Sequence, residues 1–132
     1  MARLYVVAAV LLCLSVVTQA GRFYGGREKA DVDSPSVKQA LNFALNDYNK
    51  ASNDLYQARV VKISNAEKQV VSGVMFYFDV DVGRTQCRKP ITNGNDCELH
   101  TDANLAKTTT CHFEVYTVPW RSHIEMTASK CA

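Results

Sequence analysis

The chain has 132 residues, with 15 Lys and Arg against 13 Asp and Glu and a formal net charge of +2. The basic residues are scattered along the chain, so the sequence lacks the concentrated positive charge that marks nucleic-acid binding. The length suffices for one domain with a modest core and is too short for two.

The first twenty residues have the pattern of a secretory leader. Arg3 precedes an apolar run over residues 4–17, and "TQA" then supplies small residues before a cleavage point. This predicts a signal peptide over residues 1–20, cut after Ala20, and a secreted, extracellular product comprising residues 21–132. A membrane anchor is the alternative, and it is disfavoured because the run is short for a bilayer of about 30 Å.

Cysteine usage agrees with export. Cys13 lies in the leader, and Cys87, Cys97, Cys111 and Cys131 remain after its removal. An even number of cysteines in a small exported chain predicts two disulfides. Sequence alone does not choose among the three pairings, although the spacing favours 87 with 97 and 111 with 131. No CxxC pair is present, so a zinc or thioredoxin-like site is not indicated.

The mature chain begins with an arm and a helix. Residues 21–33, the arm, combine two aromatics, adjacent glycines and mixed charge, which predicts a flexible segment. Residues 34–54 carry the clearest helical periodicity. Ser34 before Pro35 is a candidate cap, and Ser36 begins an alternative capping box, so the start stays open. The predicted apolar stripe consists of Val37, Ala40, Leu41, Ala44, Leu45 and Tyr48.

The rest of the chain has strand patterns. The predicted strands are residues 55–68, 73–88, 108–118 and 121–131, and the polar residues 89–109 predict a connecting excursion. In the strongest strand, one face carries Val74, Phe76, Phe78, Val80 and Val82, and the other carries Met75, Tyr77, Asp79 and Asp81. A helix followed by antiparallel strands predicts an α+β fold, with the helical stripe packed on a sheet of four or five strands.

Two predicted turns fall at the same edge of such a meander. They are residues 69–73, the first tip, and residues 118–121, the second tip. Their exposed apolar residues would be Val70, Val71, Val118, Pro119 and Trp120. The arm could bring Phe23 and Tyr24 to the same edge. Clustered exposed apolar surface of this kind predicts a binding site.

Each of these residues also has an ordinary structural explanation. Trp120 could fold back into the core, and Val70 with Val71 could be plain strand residues. Gly73 could be a turn glycine with positive φ. The combination of three apolar elements at one edge favours the binding interpretation.

The motifs resemble those of the secreted type 2 cystatins. "QVVSG" at residues 69–73, Pro119-Trp120, Gly25 of the pair Gly25-Gly26, the spacing of the four cysteines and "DYNKASND" carry the resemblance. It covers nearly all of residues 21–132 and implies one cystatin domain there. It also implies sequential disulfides, Cys87 with Cys97 and Cys111 with Cys131.

The resemblance implies reversible inhibition of papain-like cysteine proteases such as cathepsins. Members of this family insert a three-part wedge into the protease cleft. The implied contact residues are Phe23, Tyr24 and Gly25 in the arm, Gln69, Val70, Val71, Ser72 and Gly73 in the first tip, and Pro119 and Trp120 in the second. The aromatic pair before Gly25 departs from the aliphatic residues usual in the family, which leaves the protease preference open.

A second site is implied at Ser52, Asn53 and Asp54. These residues resemble the loop with which some secreted cystatins inhibit legumain, an asparagine-specific protease, and Asn53 would enter its specificity pocket. The alternative is a helix C-terminal asparagine in the left-handed conformation.

The sequence disfavours two other functional classes. An enzyme is disfavoured because the mature cysteines are expected in disulfides and the three histidines, His100, His112 and His123, form no recognisable metal or triad pattern. A non-inhibitory secreted module on the same fold, such as a prodomain, is disfavoured by the intact motifs. No cofactor, metal, nucleic-acid or membrane partner is predicted.

The position of Val71 in a predicted tight turn leads us to expect a second oligomeric state beside the monomer. A β-branched residue in a tight turn is a source of strain, and opening that hinge would allow a domain-swapped dimer. Such a dimer would lose the first tip and with it the papain-type inhibition.

Overall fold

The structure, a computed structural model, describes residues 25–90 and 97–132. The predicted signal peptide and the arm residues Phe23 and Tyr24 lie outside the described residues. The described elements are β1 (Glu28–Lys29), α1 (Pro35–Ala51), β2 (Tyr56–Val71), β3 (Gly73–Arg88), β4 (Thr108–Val118), a 3-10 turn (Pro119–Arg121) and β5 (His123–Cys131). Within this part of the chain, no helix is long and apolar enough to cross a bilayer.

The strands form one antiparallel sheet in the order β1-β2-β3-β4-β5. The predicted α+β architecture, one helix on an antiparallel sheet, is confirmed. The arm departs from expectation at Glu28 and Lys29, which pair with Lys68 and Glu67 and make the fifth strand. The exposed edge of β2 offers free backbone hydrogen-bonding groups, and the arm uses them.

The helix begins at the earlier of its two candidate starts. Ser34 has extended backbone angles and Pro35 follows as the first helical residue, so the alternative box at Ser36 is not used. Ser34 makes no side-chain cap to the helix and its hydroxyl instead contacts that of Ser36 at 3.0 Å. The proline, whose φ is already helical, therefore marks the boundary.

The core lies between α1 and the inner face of the sheet. Val37, Ala40, Ala44 and Leu45 are buried as the periodicity predicts, while Leu41 and Tyr48 are half-buried at the margin of the core. Their partners on the sheet are Phe76, Phe78, Val80, Val82, Phe113 and Val115. Each fully buried side chain of this size contributes about 1.5–3 kcal/mol, so this layer holds helix and sheet together.

The hairpin between β2 and β3 is longer and tighter than predicted. The sequence placed the end of the first strand at residue 68, but the ladder continues through Gln69–Met75 to Val71–Gly73. Only Ser72 lies between the two strands. The valines continue the strand because β-branched residues favour extended backbone, and Gly73 reverses the chain with φ 143°.

Two disulfides fasten the later part of the chain to the sheet. Cys111–Cys131 joins the paired strands β4 and β5, and Cys87–Cys97 attaches the excursion to β3. These are the pairs that the resemblance implies. The excursion also forms a bridge between Thr85 and Leu99, so its described part lies against the end of β3.

The outer face of the sheet carries two features that alternation alone does not indicate. Tyr77 is only 8% exposed, because the Arg27 guanidinium of the arm lies 3.6 Å from the centre of its ring. His112 contacts the carboxylates of Asp79 at 2.6 Å and Glu114 at 3.1 Å. The hydrogen bond with Asp79, reinforced by Glu114, outweighs the opposing effect of burial and raises the pKa of His112 above 6.5.

The raised pKa of His112 predicts that the stability of the protein depends on pH. A pKa raised by folding adds stability below the unfolded pKa of about 6.5, and that stability is lost as pH rises through the folded pKa. His112→Gln should therefore lower the free energy of unfolding more at pH 5.5 than at pH 8.5, measured by urea denaturation. In an Asp79→Asn background the difference between the two pH values should shrink, and an unchanged difference would contradict this account.

Candidate functional site

The first tip is an exposed apolar ridge. Val70 is 64% exposed and Val71 46%, although both are paired strand residues. The hydroxyl of Tyr116 donates to the carbonyl of Ser72 at 2.7 Å, which fixes the turn from the β4 side. The two valines are therefore strand residues, as the alternative explanation held. Their side chains nevertheless remain exposed to solvent.

The second tip is a single 3-10 turn. Pro119 begins it, and Ser122 ends it with φ 50° and donates its N–H to the Pro119 carbonyl at 3.1 Å. Trp120 is 69% exposed, so the alternative that it folds into the core is wrong. The expectation of an exposed Val118 is also wrong: it is 5% exposed at the end of β4, immediately before the turn.

The two tips lie side by side because β3 and β4 are paired up to their ends. Val74 is opposite Thr117, and a Cβ placed on Gly73 would lie 2.6 Å from the Thr117 carbonyl oxygen. A cleft of about 520 Å³ opens beneath the tips, between them and the start of α1, lined in part by Val70 and Pro119. Glycine is thus required at position 73 by contact as well as by φ.

The base of the arm reaches the same edge. The side-chain amide of Gln69 donates to the Gly25 carbonyl, and its oxygen accepts from the Tyr77 hydroxyl at 2.7 Å. Gly25 has φ 74°, a turn conformation that favours glycine. The sequence grouped Gln69 with the protease contacts, but its side chain is engaged with the arm. Phe23 and Tyr24 lie outside the described residues.

The predicted second site lies at the other end of the sheet. The helix ends at Ala51, and Ser52 is extended, with its N–H donating to Tyr48. Asn53 is exposed and does not have positive φ, since Ser122 is the single non-glycine residue with positive φ in the described chain. The alternative of a left-handed helix-terminal asparagine is therefore wrong.

The neighbours of Asn53 are held in place by polar contacts. Asp54 accepts from Arg84 Nε at 2.9 Å, Arg84 Nη2 at 2.7 Å and the Tyr56 N–H at 2.9 Å. Burial alone would raise the pKa of Asp54, but these hydrogen bonds and the Arg84 charge outweigh it and hold the pKa below its usual value. Lys89 Nζ donates to the Ser52 carbonyl at 2.9 Å.

Sequence reasoning missed Arg84 and Lys89 as supports for this loop. Arg84 lies near the end of β3 and Lys89 lies just after it, so their proximity to the loop depends on strand register. Arg84 is one of several charged residues of β3, so its charge alone did not identify it as a support.

The described residues do not assemble a catalytic centre. No group of three or more His, Cys, Asp or Glu there could hold a metal ion, and all four described cysteines are in disulfides. His112 lies opposite Lys130 and His123 opposite Val118, so the two histidines are not cross-strand partners. The exposed apolar side chains of the two tips are typical of a surface that binds another macromolecule.

Comparison with known proteins identifies the family. The family model "Cystatin domain" matches residues 25–120. Cystatin-2 of Crotalus adamanteus is 44% identical over 129 residues, covering 96% of this chain and 95% of its own. Cystatin-C of Bos taurus is 44% identical over 111 residues, covering 84% of this chain and 75% of its own. The crystal structure of dimeric human cystatin F matches with TM-score 0.74 and 29% identity, covering 83% and 87% of the two chains.

The matched family and the curated relatives place the chain among protease inhibitors and not among enzymes. More particularly, the chain belongs to the cystatin family, in its type 2 branch. Its role is therefore that of a cysteine protease inhibitor.

The contact at Gly73 yields a test of the site's construction. Gly73→Ala places a methyl group against the Thr117 carbonyl at unfavourable φ, whereas Gly26→Ala meets nothing within 4 Å. Gly73→Ala should cost about 1–3 kcal/mol, lowering the melting temperature by roughly 5–15 °C. Gly26→Ala, the matched control, should melt within about 2 °C of the parent protein. Equal melting of both variants would contradict the close packing of the tips.

Proposed function

We propose that the chain is a reversible inhibitor of papain-like cysteine proteases, cathepsins among them, and that it acts by a three-part wedge. The observation that carries this proposal is the exposure of Val70, Val71 and Trp120 on two joined hairpins at one edge of the sheet. In the wedge, the first tip covers the catalytic cysteine and the second tip packs on the primed side of the cleft.

The construction of the tips supports tight binding at low entropic cost. Ser72 is held by Tyr116, and Pro119 begins a turn closed by a backbone hydrogen bond, so both tips are ordered before a protease arrives. Preorganised surfaces lose little conformational freedom on association, and more of the apolar burial then remains as binding free energy. Trp120 is the natural anchor, since tryptophan is enriched among the residues that dominate interface energetics.

The arm is the third part of the proposed wedge. Gly25 supplies a turn at the edge of the sheet, and Phe23 and Tyr24 would fill apolar subsites on the non-primed side. Because the base of the arm is held by fewer contacts than the tips, the contribution of the arm should differ among proteases more than that of the tips.

Secretion is part of the same proposal. Two disulfides suit an oxidising compartment, and the pattern of residues 1–20 supports a leader that is removed after Ala20.

Replacing the anchor tests the wedge. Trp120→Ala should weaken papain inhibition by about 2–4 kcal/mol, roughly 30- to 1000-fold, because it removes the largest apolar group of the edge. The inhibition constant measures this loss, and the melting temperature should stay within about 2 °C because the indole is exposed. Leu55→Ala is the matched control, since Leu55 is equally exposed (69%) and lies at the other end of the sheet. Equal effects of the two substitutions would reject the wedge.

We also propose a legumain-inhibitory site at Ser52, Asn53 and Asp54. Its support is an exposed Asn53 between two residues that are fixed by hydrogen bonds to Lys89 and Arg84. A loop held in this way can present one asparagine to a specificity pocket without being ordered first.

The second site is tested with a substitution that spares the tips. Asn53→Ala should weaken legumain inhibition by roughly 100-fold or more, because a pocket built for an amide rejects a side chain lacking it. Papain inhibition by the same variant should stay within about twofold. Asn46→Ala, an exposed asparagine on the helix, is the control. Legumain inhibition that survives Asn53→Ala would place the site elsewhere.

Domain swapping is proposed as a second state beside the monomer. Exchange would open the β2–β3 hairpin at Val71–Gly73, where a single residue separates two long strands. The swapped dimer would lack the first tip, so a dimer peak isolated by size-exclusion chromatography should not inhibit papain, and an equally active dimer would reject the proposal.

A further inference from the structure

The arm is attached to the sheet by side chains as well as by strand pairing. Backbone pairing holds Glu28 and Lys29 on β2, but Gly25 lies three residues before that pairing begins. Its carbonyl is held by the side-chain amide of Gln69. The point from which the preceding residues extend is therefore fixed by a side chain and not by the β-ladder.

Tyr77 fixes Gln69 in turn. Its hydroxyl donates to Gln69 Oε1 at 2.7 Å, which directs the amide nitrogen of Gln69 toward the arm. Tyr77 is 8% exposed and its ring is covered by Arg27 with the guanidinium 3.6 Å from the ring centre. The tyrosine thus touches the arm through its ring and the Gln69 side chain through its hydroxyl.

These contacts connect the outer face of the sheet to the arm at two points. Strand β3 carries Tyr77, strand β2 carries Gln69, and the arm carries Gly25 and Arg27. Because Gln69 and Tyr77 lie diagonally across the β2–β3 ladder, their relative position is set by strand register. Gly25 and Arg27 can therefore lose these contacts without disrupting the sheet, whereas Gln69 and Tyr77 are held in place by strand pairing.

We infer that Tyr77 is a positioning residue that acts through Gln69 to hold the base of the arm in its binding direction. It makes no protease contact in this account, because its ring is already covered. The inference deepens the proposed inhibitory function and rests on it, since an arm matters only if it enters the cleft. Holding Gly25 in advance lowers the conformational entropy that the base of the arm loses on binding.

The test is a double-mutant cycle between Tyr77→Phe and a combined Phe23→Ala, Tyr24→Ala arm variant. Tyr77→Phe removes one hydroxyl and keeps the ring that Arg27 covers. With the native arm it should weaken papain inhibition about three- to tenfold, the range expected for one hydrogen bond. With the alanine arm it should change inhibition by less than about twofold. An equal loss with both arms, or no loss with the native arm, would overturn the inference.

A matched control separates positioning from a general effect on the edge. Tyr116 also donates a hydroxyl near the tips, but its acceptor is the Ser72 carbonyl of the first tip. Tyr116→Phe should therefore change inhibition by the same factor with the native and the alanine arm. A coupling to the arm as large as that of Tyr77→Phe would remove the specificity claimed for Tyr77.

A second measurement does not depend on any protease. The backbone ¹⁵N order parameters of Gly26 and Arg27 in the free protein should fall from about 0.85 toward about 0.6 in Tyr77→Phe, while those of Val74 and Thr117 should not change. Unchanged order parameters at Gly26 and Arg27 would overturn the positioning role. If the parent protein failed to inhibit papain, the proposed function would fall, and the order parameters would still decide whether Tyr77 holds the arm.

Discussion

The close contact between Gly73 and the Thr117 carbonyl is the constraint on which the binding edge depends. Any side chain at position 73 would separate the end of β3 from β4, and the two tips would no longer lie side by side. The helix and the core hold the sheet together, but they lie on its inner face and do not set the spacing of the tips. The edge is therefore made by backbone packing, and the exposed valines and tryptophan depend on it for their placement.

The parts of this edge differ in how firmly they are fixed. The tips are continuous with long paired strands and are stabilised by the whole ladder. The base of the arm is held by a two-residue strand, the Gln69 amide and the Arg27–Tyr77 contact. In the proposed wedge, binding free energy from the tips would be built into the fold, whereas that from the arm would depend on a few side chains that can change without disturbing the core.

The fold followed from the sequence because its signals are local. Helical spacing from Val37 to Tyr48 and alternation along β3 identify the two faces of the core, and the even number of cysteines after the leader predicts two disulfides. The length of the first tip could not be predicted, because the sequence does not show whether valines beside a turn belong to the paired strand or to the turn itself. Burial of Tyr77 and the support of Asp54 by Arg84 were missed because both depend on contacts between residues distant in sequence.

Strand β3 runs from one proposed site to the other. It begins with Gly73 at the tips and carries Arg84, which supports Asp54 near the opposite end, eleven residues and about 35 Å further along. Groups this far apart with no shared partners act additively. A substitution at one proposed site should therefore leave the affinity at the other unchanged, and we expect this distance to leave room for a partner at each end of the sheet. Separation along β3, with no shared contacts, is the reason that the two ends can be altered independently.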